Sequence, residues 1–139
     1  MRQVYLPLVF LAGCVQMPPT PQDLQAKAFQ AVPGQSVIYV VRTPLDSSEP
    51  QTLMLNERAT MTTLPGTYFR WEVPPGRQHL EGFGFGSESV TLTTEPDGMY
   101  FLEHTVIGDP HDGGVQLTVL RRVGDQHGRK LVTRSQLVR

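Results

Sequence analysis

One cysteine and four histidines hold most of the reactive chemistry in this 139-residue chain. His111 stands between Asp109 and Asp112 in the stretch Gly108-Asp109-Pro110-His111-Asp112-Gly113-Gly114. Carboxylates and imidazole are metal ligands. With His79 or His104 beside it, such a loop would serve a hydrolase or a metal-binding protein. The spacing matches no metal motif, the EF-hand loop included, and Asp, Gly and Pro are what any long hairpin loop uses. A solvated loop is therefore expected, with no metal and no cofactor. His104 shares a strand face with Tyr100, Leu102 and Val106, which points to a core or edge histidine with one satisfied hydrogen bond. His79 follows Pro74-Pro75-Gly76 and is expected to top a strand, and nothing pairs it with another histidine.

Nucleophilic catalysis needs an activated Ser, Cys or Thr beside a base. Ser87 and Ser89 flank Glu88, but the Gly-x-Ser-x-Gly elbow is absent. Gly82, Gly84 and Gly86 alternate with Phe83 and Phe85. A phosphate loop would need a helix start beyond them, and the next residues read as strand, so a bent or bulged strand is expected. Tyr68, Phe69 and Trp71 offer a stacking platform for sugar, yet Trp71 falls on the apolar face of its strand and core packing is expected. Basic residues gather late, at Arg121, Arg122, Arg129, Lys130, Arg134 and Arg139. A solvated face is the default for them, and contact with anionic headgroups or an acidic partner is the alternative. No catalytic residue is expected.

Cys14 is different, because its setting is specific. Arg2 is positive, Val4 to Leu11 are apolar, and Ala12-Gly13 are small, the order of a secretory signal. The run is interrupted by Pro7 and falls short of the roughly 20 apolar residues that span a bilayer. Leu11-Ala12-Gly13-Cys14 resembles the lipobox of bacterial lipoproteins. That resemblance implies cleavage between Gly13 and Cys14 by signal peptidase II, and a diacylglyceryl group on the Cys14 thiol. One acyl chain holds a protein marginally, whereas two or more anchor it stably; the likeness implies three. No later segment reads as a transmembrane helix, so the lipid is the expected membrane attachment. In enteric-type bacteria an aspartate after the lipidated cysteine retains a lipoprotein in the inner membrane. Val15 stands there instead, which points to the outer membrane, facing the periplasm.

Removing residues 1–13 from the 139 leaves 126, enough for one domain. Net charge is -1, with 12 Lys+Arg against 13 Asp+Glu, so no global basic field draws nucleic acid. With no second cysteine, stability must come from apolar burial and backbone hydrogen bonds.

The elements follow from pattern. Val15 to Pro21 holds three prolines and reads as an extended linker. Thr20, Pro21 and Asp23 form a helix start, giving a short helix over Gln22 to Gln30 that Pro33-Gly34 stops. The period then changes to two. Strands are expected at Ser36–Arg42, Gln51–Leu55, Ala59–Leu64, Thr67–Val73, Arg77–Phe85, Ser89–Thr94, Met99–Ile107 and Val115–Val123. Ser36–Arg42 is apolar on both faces, as in a central strand. In Thr67–Val73, Phe69, Trp71 and Val73 are expected inward, and Arg70 and Glu72 in water. Val115, Leu117 and Val119 are expected on one face. Asn56-Glu57 or Glu57-Arg58 makes the first hairpin turn, and Pro65-Gly66 a type II turn. Residues 124–139 fit either a turn and last strand or a short helix over Leu131 to Leu137. About eight short strands without helical crossovers indicate an all-β, antiparallel sandwich preceded by a short helix.

The block Pro65 to Leu80, with Val37 to Arg42 before it and Gly98-x-Tyr100 after it, resembles the bacterial lipoproteins known as the DUF2846 family. The matching features are Gly66-Thr67-Tyr68, the Pro-Pro-Gly-x-x-His block at Pro74 to His79, and an apolar strand ending in Asn56. The likeness spans residues 30–123 and departs at Glu57, where a turn glycine is expected. It implies a lipid-anchored envelope protein with an immunoglobulin-like or transthyretin-like sandwich and no agreed biochemical activity. The expected organisation is a signal peptide over 1–13, a lipidated cysteine, linker and helix over 14–34, and the sandwich over 35–139. The expected function is a non-enzymatic binding module of the bacterial cell envelope, with a protein or glycan partner. The rivals are the hydrolase or metal-binding protein on the 108–114 loop, and a purely structural envelope lipoprotein.

Overall fold

A computed structural model describes residues 18–44, 47–84, 86–108, 111 and 113–138. Helix α1 (Pro21–Ala26) leads into strands β1 (Ser36–Arg42), β2 (Gln51–Leu55), β3 (Ala59–Thr63), β4 (Thr67–Val73), β5 (Gly76–Gly82), β6 (Ser89–Thr94), β7 (Met99–Ile107) and β8 (Leu117–Val123). Helix α2 (Asp125–Thr133) and the short strand β9 (Gln136–Leu137) follow. The fold is mostly β, with two sheets and two short helices. One sheet runs β8-β7-β1-β4-β9 and the other β3-β2-β5-β6; they are called the five-stranded and four-stranded sheets below.

Pairing is antiparallel except at β1–β7 and β4–β9, which are parallel. Most neighbours are thus antiparallel as expected, and the two parallel pairs depart from a purely antiparallel sandwich. Parallel neighbours need a crossover, and here it is made of strands: the chain leaves β1, forms β2 and β3 of the four-stranded sheet, returns for β4 beside β1, adds β5 and β6 to the four-stranded sheet, and comes back as β7.

Two apolar clusters stabilise the fold. Ile38, Val40, Phe69, Val73, Leu102 and Leu120 meet Leu53, Leu55, Leu80 and Leu92 between the sheets. Val37, Tyr39, Val41, Tyr68 and Phe101 point the other way and pack under the helices with Ala26 and Val132. Successive strand residues face opposite sides, so β1, buried at every position, feeds both clusters. That matches its doubly apolar sequence.

Several local expectations shift. The helix forms over Pro21–Ala26 rather than to Gln30, and Phe29 already has a positive φ of 51°. Residues 124–139 form a helix at Asp125–Thr133 and a two-residue strand at Gln136–Leu137, so the helix lies earlier than the expected Leu131 to Leu137 and the end of that span is strand. In β8 the inward residues are Thr118 and Leu120, the opposite parity to Leu117 and Val119, and Val115 lies before the strand and is exposed. His79 lies in the middle of β5. Arg70 is half-buried, because α1 and the segment after it lie over its face; it donates to the Tyr39 hydroxyl and the Gln30 carbonyl and pairs with Glu72. The β2–β3 turn is Asn56-Glu57, with φ of 50° and 57° and Arg58 N donating to Leu55 O at 3.1 Å. Both central residues at positive φ make it type I′.

Candidate functional site

A buried polar network lies where the N-terminal helix meets the five-stranded sheet. Thr20 caps α1 by accepting from Asp23 N at 3.1 Å, and Pro21 occupies the first turn, where its missing N–H costs nothing. The turn directs Asp23 inward, where it is 5% exposed. One carboxylate oxygen accepts from the Tyr68 hydroxyl at 2.7 Å and Leu137 N at 3.1 Å. The other accepts from Lys27 Nζ at 2.8 Å, and that ammonium also donates to Ser135 O at 2.7 Å. One side chain thus fastens α1, β4 and β9 together. Beside it the Tyr39 hydroxyl donates to Ala26 O at 2.6 Å.

Electrostatics fixes the protonation states. Burial works to raise the Asp23 pKa, but hydrogen bonds from Lys27 and Tyr68, the Lys27 charge and Leu137 N–H outweigh it, and Asp23 stays below the ordinary aspartate value. Burial pushes the Tyr68 phenol up, and the Asp23 carboxylate adds to that. Burial also raises Tyr39. These directions favour an anionic Asp23 beside neutral tyrosines, the charge state in which the carboxylate accepts all of these hydrogen bonds.

Over this clamp lies a groove of about 810 Å3, bordered by Pro18, Pro19, Pro50, Leu64, Arg134 and Leu137 among others. It separates the β9 edge of one sheet from the β3 end of the other. The chain enters the folded domain along its wall.

The sequence-derived candidates fall as follows. Gly13, Cys14, Asp109 and Asp112 lie outside the described residues. His111 is exposed and hydrogen-bonds Glu49 at 2.9 Å. His104 is buried in the interior, with Nδ1 3.2 Å from the Thr63 hydroxyl. His79 lies on the outward face of the four-stranded sheet, 2.8 Å from the Thr91 hydroxyl and 3.5 Å from a Glu81 oxygen. Glu49, Thr63 and Thr91 are thus contacted by different histidines, in different parts of the fold. Among the described residues no three His, Cys, Asp or Glu side chains converge as a metal site would require. Ser87 donates to Phe83 O at 2.8 Å, a staple inside its own loop. Trp71 packs, partly buried, against the inter-sheet cluster.

The basic residues do not act as one patch. Arg121 pairs with Glu103, and Arg122 lies 5.1 Å from the Tyr100 ring. Arg129 pairs with Asp125 and stacks over Phe29 and Phe101. Lys130 and Arg134 are exposed, and Arg139 lies outside the described residues.

Arg42 escaped the sequence reading as a site. It is fully buried at the end of β1. Its guanidinium donates to the Ser47 and Glu49 carbonyls at 2.6 and 2.9 Å and to Thr63 at 3.3 Å. A planar five-donor group suits such a carbonyl cradle, which organises the 47–50 segment. The available signal was a lone charge ending an apolar strand.

No family model matches the chain, and no curated protein matches it.

Proposed function

We propose that this protein is a lipid-anchored binding module of the bacterial cell envelope, held by acyl chains on Cys14 and acting through contacts rather than catalysis. The carrying observation is the order of Arg2, the apolar Val4 to Leu11, and Ala12-Gly13-Cys14, which ends four positions before the described domain begins at Pro18. The clamp on Asp23 supports this reading, because it fixes the root of the tether to the sheet. The resemblance to the DUF2846 lipoproteins supports an immunoglobulin-like or transthyretin-like variety of sandwich, and Val15 supports the periplasmic face of the outer membrane. The partner would be an envelope protein or glycan. Among the described residues no helix is long and apolar enough to cross a membrane.

The test is Cys14→Ser in cells fed a labelled fatty acid. The wild type is expected to take up label and fractionate with membranes, and the variant to do neither. A variant that still takes up label and partitions into detergent would overturn the proposal.

A further inference from the structure

We infer that the end of the sandwich from which the tether leaves lies against the lipid bilayer, with exposed apolar loop residues seated in its interface. This rests on the proposed anchor at Cys14. The strand directions define two ends. β1 and β7 run towards one end, and β4 and β8 begin there. Gln51 at the start of β2 pairs with Thr63 at the end of β3, and the Gln51 amide donates to Thr118 near the start of β8 at 3.2 Å. The same end therefore carries the described residues 43–44, 47–50, 64–66, 83–84, 86–88, 108, 111 and 113–116. Pro18 to Thr20 border the groove there with Pro50 and Leu64.

The two ends differ in what they show to water. Among the described residues five large apolar side chains are well exposed, and Leu64, Phe83, Ile107 and Val115, at 44% to 62%, all stand at the tether end. The fifth, Leu24, lies on α1 just beyond the tether. The opposite end carries Asn56, Glu57, Arg58, Glu95 and Asp97 with prolines. Single exposed apolar residues are ordinary; four gathered at one end, with none at the other, are a polarity of the whole domain.

The tether says what covers them. Four residues span at most about 14 Å when fully extended, close to the radius of gyration of a folded chain of this length, about 14 Å. A lipid on Cys14 thus holds this end nearest the membrane. Charge does not drive the contact. Glu49 pairs with His111, and Glu88 accepts from Leu120 N. The contact is apolar, so it should persist at high salt and show no preference for anionic lipid.

The experiment uses the mature lipidated protein, from Cys14 onward, reconstituted in phosphatidylcholine vesicles. Phe83→Cys, Val115→Cys and Glu57→Cys are each labelled with an environment-sensitive dye, and quenchers are placed on the lipid chains or in the water. The labels at 83 and 115 are expected to be quenched by the lipid-borne quencher at least threefold more than the label at 57. The aqueous quencher should show the reverse order. Equal quenching at all three sites in protein that sediments with the vesicles would overturn the orientation alone. Labels at 83 and 115 shielded from water but untouched by the lipid quencher would also overturn it, in favour of a protein partner. Wild-type protein that does not sediment with vesicles would overturn the anchor, and this inference with it.

Discussion

The two sheets share one interior but differ in their outer faces. The five-stranded sheet turns Val37, Tyr39, Val41, Tyr68 and Phe101 outward, and helices α1 and α2 cover them. The four-stranded sheet turns out Thr52, Thr60, Thr62, Thr91 and Thr93, with His79 and Glu81, and nothing among the described residues covers these. The pleat is the same in both. The side chains decide: large rings need a second layer to leave water, and short hydroxyls do not. Covering the rings also strands polar groups, so each buried tyrosine hydroxyl requires a partner. Ala26 O and Asp23 supply them.

If the outer face of the five-stranded sheet is a second core, Phe101→Ala should cost about 3–5 kcal/mol, the range for a large buried aromatic. Thr91→Ala, on the bare face, should stay within about 0.5 kcal/mol. Denaturant melts of both variants check this, and similar losses would erase the distinction between the faces.

The clamp sharpens the comparison through pH. Asp23→Asn should cost about 1.5–3 kcal/mol near neutrality, the range for hydrogen bonds to a charged group. The folded pKa of Asp23 lies below its ordinary 3.8. Its contribution is therefore complete above the unfolded value and is lost as the pH falls through the folded one. The wild type should approach the variant in stability as pH drops below about 4. Parallel stability curves for the two would show that Asp23 is not the titrating tie.

The bare sheet holds a smaller strain. Glu57 sits at a φ of 57° in the β2–β3 turn with no glycine to relieve it. Glu57→Gly should stabilise by about 0.5–1 kcal/mol, the left-handed penalty less the added chain entropy of glycine. A destabilised variant would mean the turn is not type I′ in solution.

The same contrast governs how much was legible in the sequence. On the bare sheet the alternation of Val90 and Leu92 with Thr91 and Thr93 announced its register. In β4, Arg70 is expected in water because arginine carries a polar tip on an apolar body, and the phenol of Tyr68 holds the same ambiguity. Only the presence of α1 shows that those bodies are covered. Helix α2 was half-hidden for a related reason. Gly128 weakens its helical pattern, yet a Cβ there would lie 2.2 Å from the Phe101 ring, so the glycine permits close packing. Parallel pairing of β1 with β7 leaves no local mark at all, since nothing within either strand encodes its neighbour's direction. At the candidate site, the Thr20 cap was legible at the start of α1, but the inward turn of Asp23 to Tyr68 and Leu137 depends on residues 45 and 114 positions away.

The measurement that tests the account most directly is the intact mass of the protein extracted from cell membranes. A chain beginning at Cys14, lacking residues 1–13 and carrying a diacylglyceryl group and an amide-linked acyl chain, is the expected result. A chain that retains those residues, or begins elsewhere with an unmodified thiol at Cys14, would contradict it.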